Sequence, residues 1–187
     1  MRDAARMGDT LEAVLTARRA GIDRVGIVGH GRYQLFGPDG ELRAEGLFEN
    51  LITDTGDLYY AERAETSPTA IATGMRLGTG STAVAKNGAG AAIVTYVTAS
   101  HHAFDTGPAG ATLGAGAGAR VVYVATWAPG EATATGITEA VITTETPLTN
   151  VAGNAGNTIS RAILSPTVNK GALDQLVVTW NHDLLGA

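Results

Sequence analysis

The sequence predicts a mainly β protein: an antiparallel β-sandwich, jelly-roll-like, with an N-terminal helical arm and one short helix near residues 54–64. Three observations carry this expectation. Segments rich in Val, Ile, Tyr and Trp recur from Ala70 onward, and Gly, Pro and Asn clusters part them. No helical patterns alternate with these segments, as a parallel βαβ sheet would require. Near the N-terminus, two extended arms flank a strong turn signal.

The elements follow in chain order. Asp9 to Ala20 reads as a short helix, with Leu11, Val14 and Leu15 at helical spacing, Arg18 and Arg19 in the last turn, and Gly21 after it. It is too short and too weakly apolar to be stable alone, so residues 1–31 are expected to form an arm that docks elsewhere. Residues 32–187 form the sandwich domain. Arg32–Phe36 and Glu41–Glu45 flank Gly37-Pro38-Asp39-Gly40, in which Pro presets φ and Gly supplies positive φ. Leu47–Ile52 is a short apolar segment. Thr53 or Asp54 then caps a helix over Thr55–Ala64, which Gly56 weakens by roughly 1 kcal/mol. The later strands are expected at Ala70–Leu77, Ala91–Thr98, Arg120–Trp127, Ile137–Thr144, Thr158–Leu164 and Gln175–His182. The small-residue stretches Gly107–Ala119 and Asn150–Asn157 read as loops that are mobile or ordered by a partner.

Composition narrows the function. Cysteine is absent, which excludes disulfides, zinc thiolates and cysteine nucleophiles. The net charge of −5, with only Arg18, Arg19 and Arg24 clustered, argues against a nucleic-acid binder. No apolar run reaches the length of a membrane-spanning helix, and Met1–Ala20 lacks the apolar centre of a signal peptide. Charged residues make up 17% of the chain and Gly numbers 25, a balance that suits a protein covered by partners better than a free enzyme.

The search for chemistry returns no catalytic, cofactor-binding or metal-binding residues. Gly78-Thr79-Gly80-Ser81 superficially resembles a phosphate loop, but lacks the Lys-Ser/Thr ending, and the Gly114–Gly118 run lacks dinucleotide spacing. His101 and His102 are adjacent and would face opposite ways on a strand; in a loop they could hold zinc with Asp105, yet the preferred reading is of polar side chains turned to solvent. His30 and His182 stand alone. No Gly-x-Ser-x-Gly elbow occurs. Glu139 and Glu145 could form a glycosidase pair only if the sheet brought them together. Trp127 and Trp180 read as core residues, with carbohydrate stacking as the alternative.

The run Gly46–Tyr60, then Thr73–Ala83, Pro129–Thr133, Ile137–Ala140, Ile159–Ala162 and Val178–His182, resembles in order the blocks of small structural proteins of tailed phages. That family includes capsid decoration (cement) proteins, head-fibre bases and tail-appendage proteins. The resemblance covers Gly46 to the C-terminal end and implies a β-sandwich, oligomeric assembly and no catalytic residue. The expected function is therefore non-enzymatic: a virion protein stabilising the phage head as a homo-oligomer, expected to be a trimer. Its expected partners are other virion proteins, the major capsid protein first, with no nucleic acid and no membrane. A tail-fibre or baseplate-type component and a surface carbohydrate-binding module are the alternatives.

Overall fold

A computed structural model describes residues 26–65, 70–105, 109–114 and 118–185. Its strands are β1 (Gly26–Phe36), β2 (Leu42–Ile52), β3 (Gly74–Gly78), β4 (His102–Ala103), β5 (Ala109–Gly114), β6 (Gly118–Trp127), β7 (Ala134–Thr143), β8 (Thr158–Lys170) and β9 (Gln175–Leu185), with one helix, α1 (Asp54–Glu62). All pairings are antiparallel, in the order β4-β3-β7-β8-β2-β1-β9-β6-β5. Among the described residues the protein is thus mainly antiparallel β, with a short helix at Asp54–Glu62, as its sequence predicts.

The sheet curls until its two ends meet. Beyond β4, the Asp105 N–H donates to Val124 O at 2.9 Å, and the Asp105 carboxylate accepts from Thr126 N (3.0 Å) and Thr126 Oγ1 (2.7 Å). Beside this closure, Trp127 Nε1 donates to Ser100 O at 2.8 Å. The outer edge of β6 is therefore shared between β5 and the segment after β4.

Alternation places the core. Along β9, Leu176, Val178, Trp180 and His182 are all fully buried, and Trp180 is paired between Gly31 and Tyr123. Phe48 meets the Trp180 ring edge-on at 5.0 Å. Trp127 and Trp180 are both fully buried, so the two indoles are core residues. Truncating either to Ala would cost about 3–5 kcal/mol in a core of this kind.

Helix α1 lies against β8 and is fixed at its start. Thr53 Oγ1 accepts from Gly56 N (3.0 Å) and donates to Thr158 O (2.5 Å), so Thr53 is the cap. Gly56 is needed for close approach: a Cβ there would stand 2.1 Å from Ile159 O. The residue that weakens the helix is the one that lets it dock.

Five expectations are corrected. Ala91–Thr98 is not a strand; the segment makes only a bridge from Tyr96 to Gly78. Its Ile93 and Val97 are buried, so β-like composition reports burial there and not a ladder. Within Gly107–Ala119, read as a loop, β5 pairs with the start of β6. Small residues carry little strand signal, and pairing with β6 imposes the extended form. Asn150–Asn157 is ordered by bonds within its own chain. Its short 3₁₀ turn (Ala155–Asn157) carries a reciprocal Asn154–Asn157 cap, and Thr55 Oγ1 donates to Ala155 O at 2.7 Å. Gly26–Gly31, assigned to the arm, form the first half of β1. The rest of the arm, with the helix expected at 9–20, lies outside the described residues. The strand expected at Ala70–Leu77 begins later, at Gly74.

The segment between β3 and β4 crosses the outer face of β7 and β8, where Glu139 and Arg161 form a fully buried pair. Arg161 Nη2 and Nε donate to Glu139 Oε2 at 2.7 and 3.2 Å. Glu139 Oε1 accepts from Gly80 N, Val94 N and Thr95 N at 2.9, 3.1 and 2.8 Å. Arg161 Nη1 donates to Thr82 O and Gly90 O at 2.8 and 3.2 Å. One ion pair thus binds the crossing segment at five backbone groups. Arg161→Leu leaves a buried carboxylate without its cation and should cost about 3–5 kcal/mol. Glu139→Gln keeps an oxygen for the three N–H donors but turns its NH₂ toward Arg161 Nε and Nη2 and leaves the buried guanidinium without its counter-charge, so it too should cost about 3–5 kcal/mol. Urea denaturation midpoints check both values, and a variant as stable as the wild type would contradict the arrangement.

Candidate functional site

Among the described residues, those singled out from the sequence are dispersed and bonded within the chain; the Gly114–Gly118 run lies in part, and Arg18, Arg19 and Arg24 entirely, outside them. Gly78-Thr79-Gly80-Ser81 does cradle an anion, but the anion is the chain's own Glu139. A Cβ on Gly78 or Gly80 would stand 2.4 or 2.5 Å from Glu139 Oε1, so glycine at both positions admits the carboxylate. The backbone donors that suggested phosphate binding are filled from within.

Glu139 and Glu145 do not act as a pair. Glu139 is bound as described, and Glu145 is paired with the buried Arg76. Arg76 also donates to Thr143 Oγ1 and Thr149 O, both at 3.2 Å. Two arginines thus neutralise the two carboxylates separately, which removes a general acid and a general base together.

His101, His102 and Asp105 are not gathered either. His101 Nδ1 lies 3.4 Å from Tyr96 Oη. His102 Nε2 is 3.5 Å from Glu131, and its ring lies 5.7 Å from the Trp127 ring. Asp105 is spent on Thr126. Among the described residues, no group of three or more His, Asp or Glu side chains could hold a metal ion.

Sequence reasoning missed a second polar arrangement, which lies inside the sheet. Trp180 Nε1 donates to Asn50 Oδ1 at 2.8 Å. An indole nitrogen only donates, so the Asn50 amide turns its NH₂ toward Ser160 Oγ (2.5 Å) and His182 Nε2 (3.5 Å). His182 Nε2 is then an acceptor, and the proton of the neutral ring sits on Nδ1, 2.5 Å from Tyr60 Oη. Tyr60 Oη in turn lies 3.2 Å from Tyr123 Oη. The chain of bonds runs from β9 through β2 and back, then out to α1 and across to β6. Burial pushes the His182 pKa down to about 3 and raises the phenol pKa of both Tyr60 and Tyr123. All three groups stay neutral near pH 7, so the chain ties the helix to the sheet without carrying charge.

One signal could have revealed this cluster. Leu176, Val178, Trp180 and His182 continue a single period-two face, which marks His182 as inward. His30, by contrast, faces out, 3.7 Å from Asp183. Asp183 also accepts a two-pronged bond from Arg120, Nε at 2.6 Å and Nη2 at 3.0 Å, which lowers its pKa.

The depressed pKa sets a pH dependence. Unfolded, His182 takes a proton near pH 6.5; folded, it does so only near pH 3. The unfolded state therefore binds the extra proton in this window. Stability from this group is complete above about pH 6.5 and falls with pH by up to about 1.4 kcal/mol per unit. In His182→Gln, the midpoint of urea unfolding should fall less between pH 6.5 and pH 4 than in the wild type. Equal slopes in the two proteins would refute the assignment.

Protein-family models, curated proteins and solved structures were compared with the chain, and none matches.

Proposed function

We propose that this chain is a non-enzymatic virion protein of a tailed phage, acting as a homo-oligomeric decoration protein on the outside of the capsid. The observation that carries the reading is how the buried charges are used. Glu139, Arg161 and Arg76 are fully buried, Lys170 nearly so, and all four are bonded within the chain. Lys170 Nζ, for example, donates to Asp174 O at 2.7 Å and Ala128 O at 3.0 Å. An enzyme keeps some such groups poised toward a cleft, with pKa values matched to proton transfer. Here they brace long connections onto a curled sheet. The ordered phage-like blocks from Gly46 to His182 supply the other support.

A decoration protein works by contact. Binding only to the assembled lattice stabilises that lattice by mass action, and linked copies add avidity. The contacts expected are Gly107–Ala119, Asn150–Asn157 and the N-terminal residues, with the major capsid protein as partner.

Phage particles lacking the protein should assemble but release DNA at a lower temperature, and adding the purified protein back should restore wild-type heat resistance. If such particles withstand heat normally and fail to attach to cells, the capsid reading falls and a tail component takes its place. Binding to defined glycans would favour a carbohydrate-binding module.

A further inference from the structure

The inward face of the sheet runs one rung past its core. Along β9 the buried series Leu176, Val178, Trp180 and His182 continues to Leu184. Along β1 the series Leu35, Tyr33, Gly31 and Gly29 continues back to Ile27. Ile27 lies opposite Leu184 in the ladder, and Ala119 of β6 lies opposite Leu184 on its other side. This rung points into the curl as the others do, yet Ile27, Leu184 and Ala119 are only half-buried. Helix α1 covers one side of this end, where Tyr60 Oη reaches His182 Nδ1. Between the helix and the rung lies an open hollow of about 490 Å³, lined by Ile27, Asp57, Tyr60, Ala61 and Leu184. Its one carboxylate, Asp57, is paired with Lys86, so the hollow offers mainly aliphatic and aromatic surface.

The chain itself enters at this rim. Gly26, which precedes Ile27, is the first described residue, and residues 1–25 come before it. The residues joining β5 to β6, at the same end of the sheet, are Ala115, Gly116 and Ala117, which have little apolar surface to contribute. The N-terminal stretch has more, with Leu11, Val14 and Leu15 at the spacing of one helical stripe. From Gly21 to Val25 the chain can span about 17 Å. A helix over Asp9–Ala20 would be about 18 Å long. The stripe is therefore tethered within reach of the hollow, at an effective concentration on the order of millimolar. Such a helix is too short to be stable alone and needs an apolar surface to pack against.

We infer that the N-terminal segment closes this end of its own sheet, with Leu11, Val14 and Leu15 seated against Ile27, Tyr60, Ala61 and Leu184. The docked segment extends the core by the one rung that the strands leave half-covered. Glu12, Thr16 and Arg19 fall on another side of the helix and remain for contact with a partner. The inference thus goes beyond the proposed function without competing with it, and its test is read on the isolated chain.

Cross-linking of the full chain, which has no cysteine of its own, tests the docking. With Val14→Cys and Ala61→Cys together, mild oxidation should close a disulfide within one chain. It should do so at least tenfold faster than with Val14→Cys and Leu173→Cys, whose second thiol lies in the β8–β9 turn, at the other end of β9 from Leu184. Adding Leu11→Asp to the first pair should bring its rate down to that of the second. A second measurement does not depend on disulfide geometry. Leu15→Asp should lower the midpoint of urea unfolding, while Thr16→Asp, the same added charge one residue later, should leave it near the wild-type value. Circular dichroism checks that each variant keeps its sheet. Equal rates for the two cysteine pairs, a disulfide that joins two chains, or equal midpoints for Leu15→Asp and Thr16→Asp would overturn the docking.

Discussion

The buried pair of Glu139 and Arg161 is the constraint on which the outer half of this fold depends. Two charges removed from water carry a desolvation cost of several kcal/mol each, and their mutual attraction offsets it only when the remaining donors and acceptors are also satisfied. Here the further partners are backbone groups of a segment with no regular structure of its own. Three N–H groups converge on the carboxylate, and two carbonyls accept from the guanidinium. The pair therefore specifies a path for the chain. With Glu139 and Arg161 on neighbouring strands in the β7–β8 register, the crossing segment has one place where these five backbone groups are met.

The interior solves the opposite problem. The face that carries Trp127, Trp180 and Phe48 also carries Asn50, Ser160 and His182, which must be satisfied without water and without charge. A single chain of bonds does this, and its direction follows from the donor-only indole of Trp180. Because the chain ends on Tyr60 and Tyr123, helix α1 is joined to the sheet by polar bonds as well as by its Thr53 cap. Charges thus brace the outer face, while neutral dipoles order the inner one. The two networks share β8, through Arg161 on one side and Ser160 on the other.

Much of the sheet was legible from local signals. The Pro38-Asp39-Gly40 turn, the β-branched run at Arg120–Trp127, and the alternation in Gln175–His182 each mark an element that forms close to its expected place. The failures share a cause. Ala91–Thr98 has strand composition, yet Val94 and Thr95 spend their N–H groups on Glu139, a partner no window of sequence contains. Ala109–Gly114 is a strand only because β6 lies beside it. Asn50, Ser160 and His182 are distant in sequence and ordinary in type, so their meeting depends on the register of β2, β8 and β9. Local chemistry is written in the chain; which polar groups meet is decided by pairing.

The same reasoning explains why the sheet parts where it does. Pro166 has no N–H, so β8 cannot continue a complete ladder through that position. Its carbonyl is taken by Tyr33, whose ring reaches it only by passing beneath Gly46, where a side chain would collide with it. The proline that interrupts the ladder, the glycine that admits the ring and the tyrosine that holds the bowed strand form one device. Its consequence is a strand paired along one edge and, among the described residues, joined to β8 along the other only at Asn50–Ile52. A curled sheet removes exposed edges by closing on itself, and this one does so at β6 through Asp105. One seam is closed with side-chain bonds, while at the other β2 and β8 are joined among the described residues only by Asn50–Ile52 and by the Tyr33–Pro166 bond.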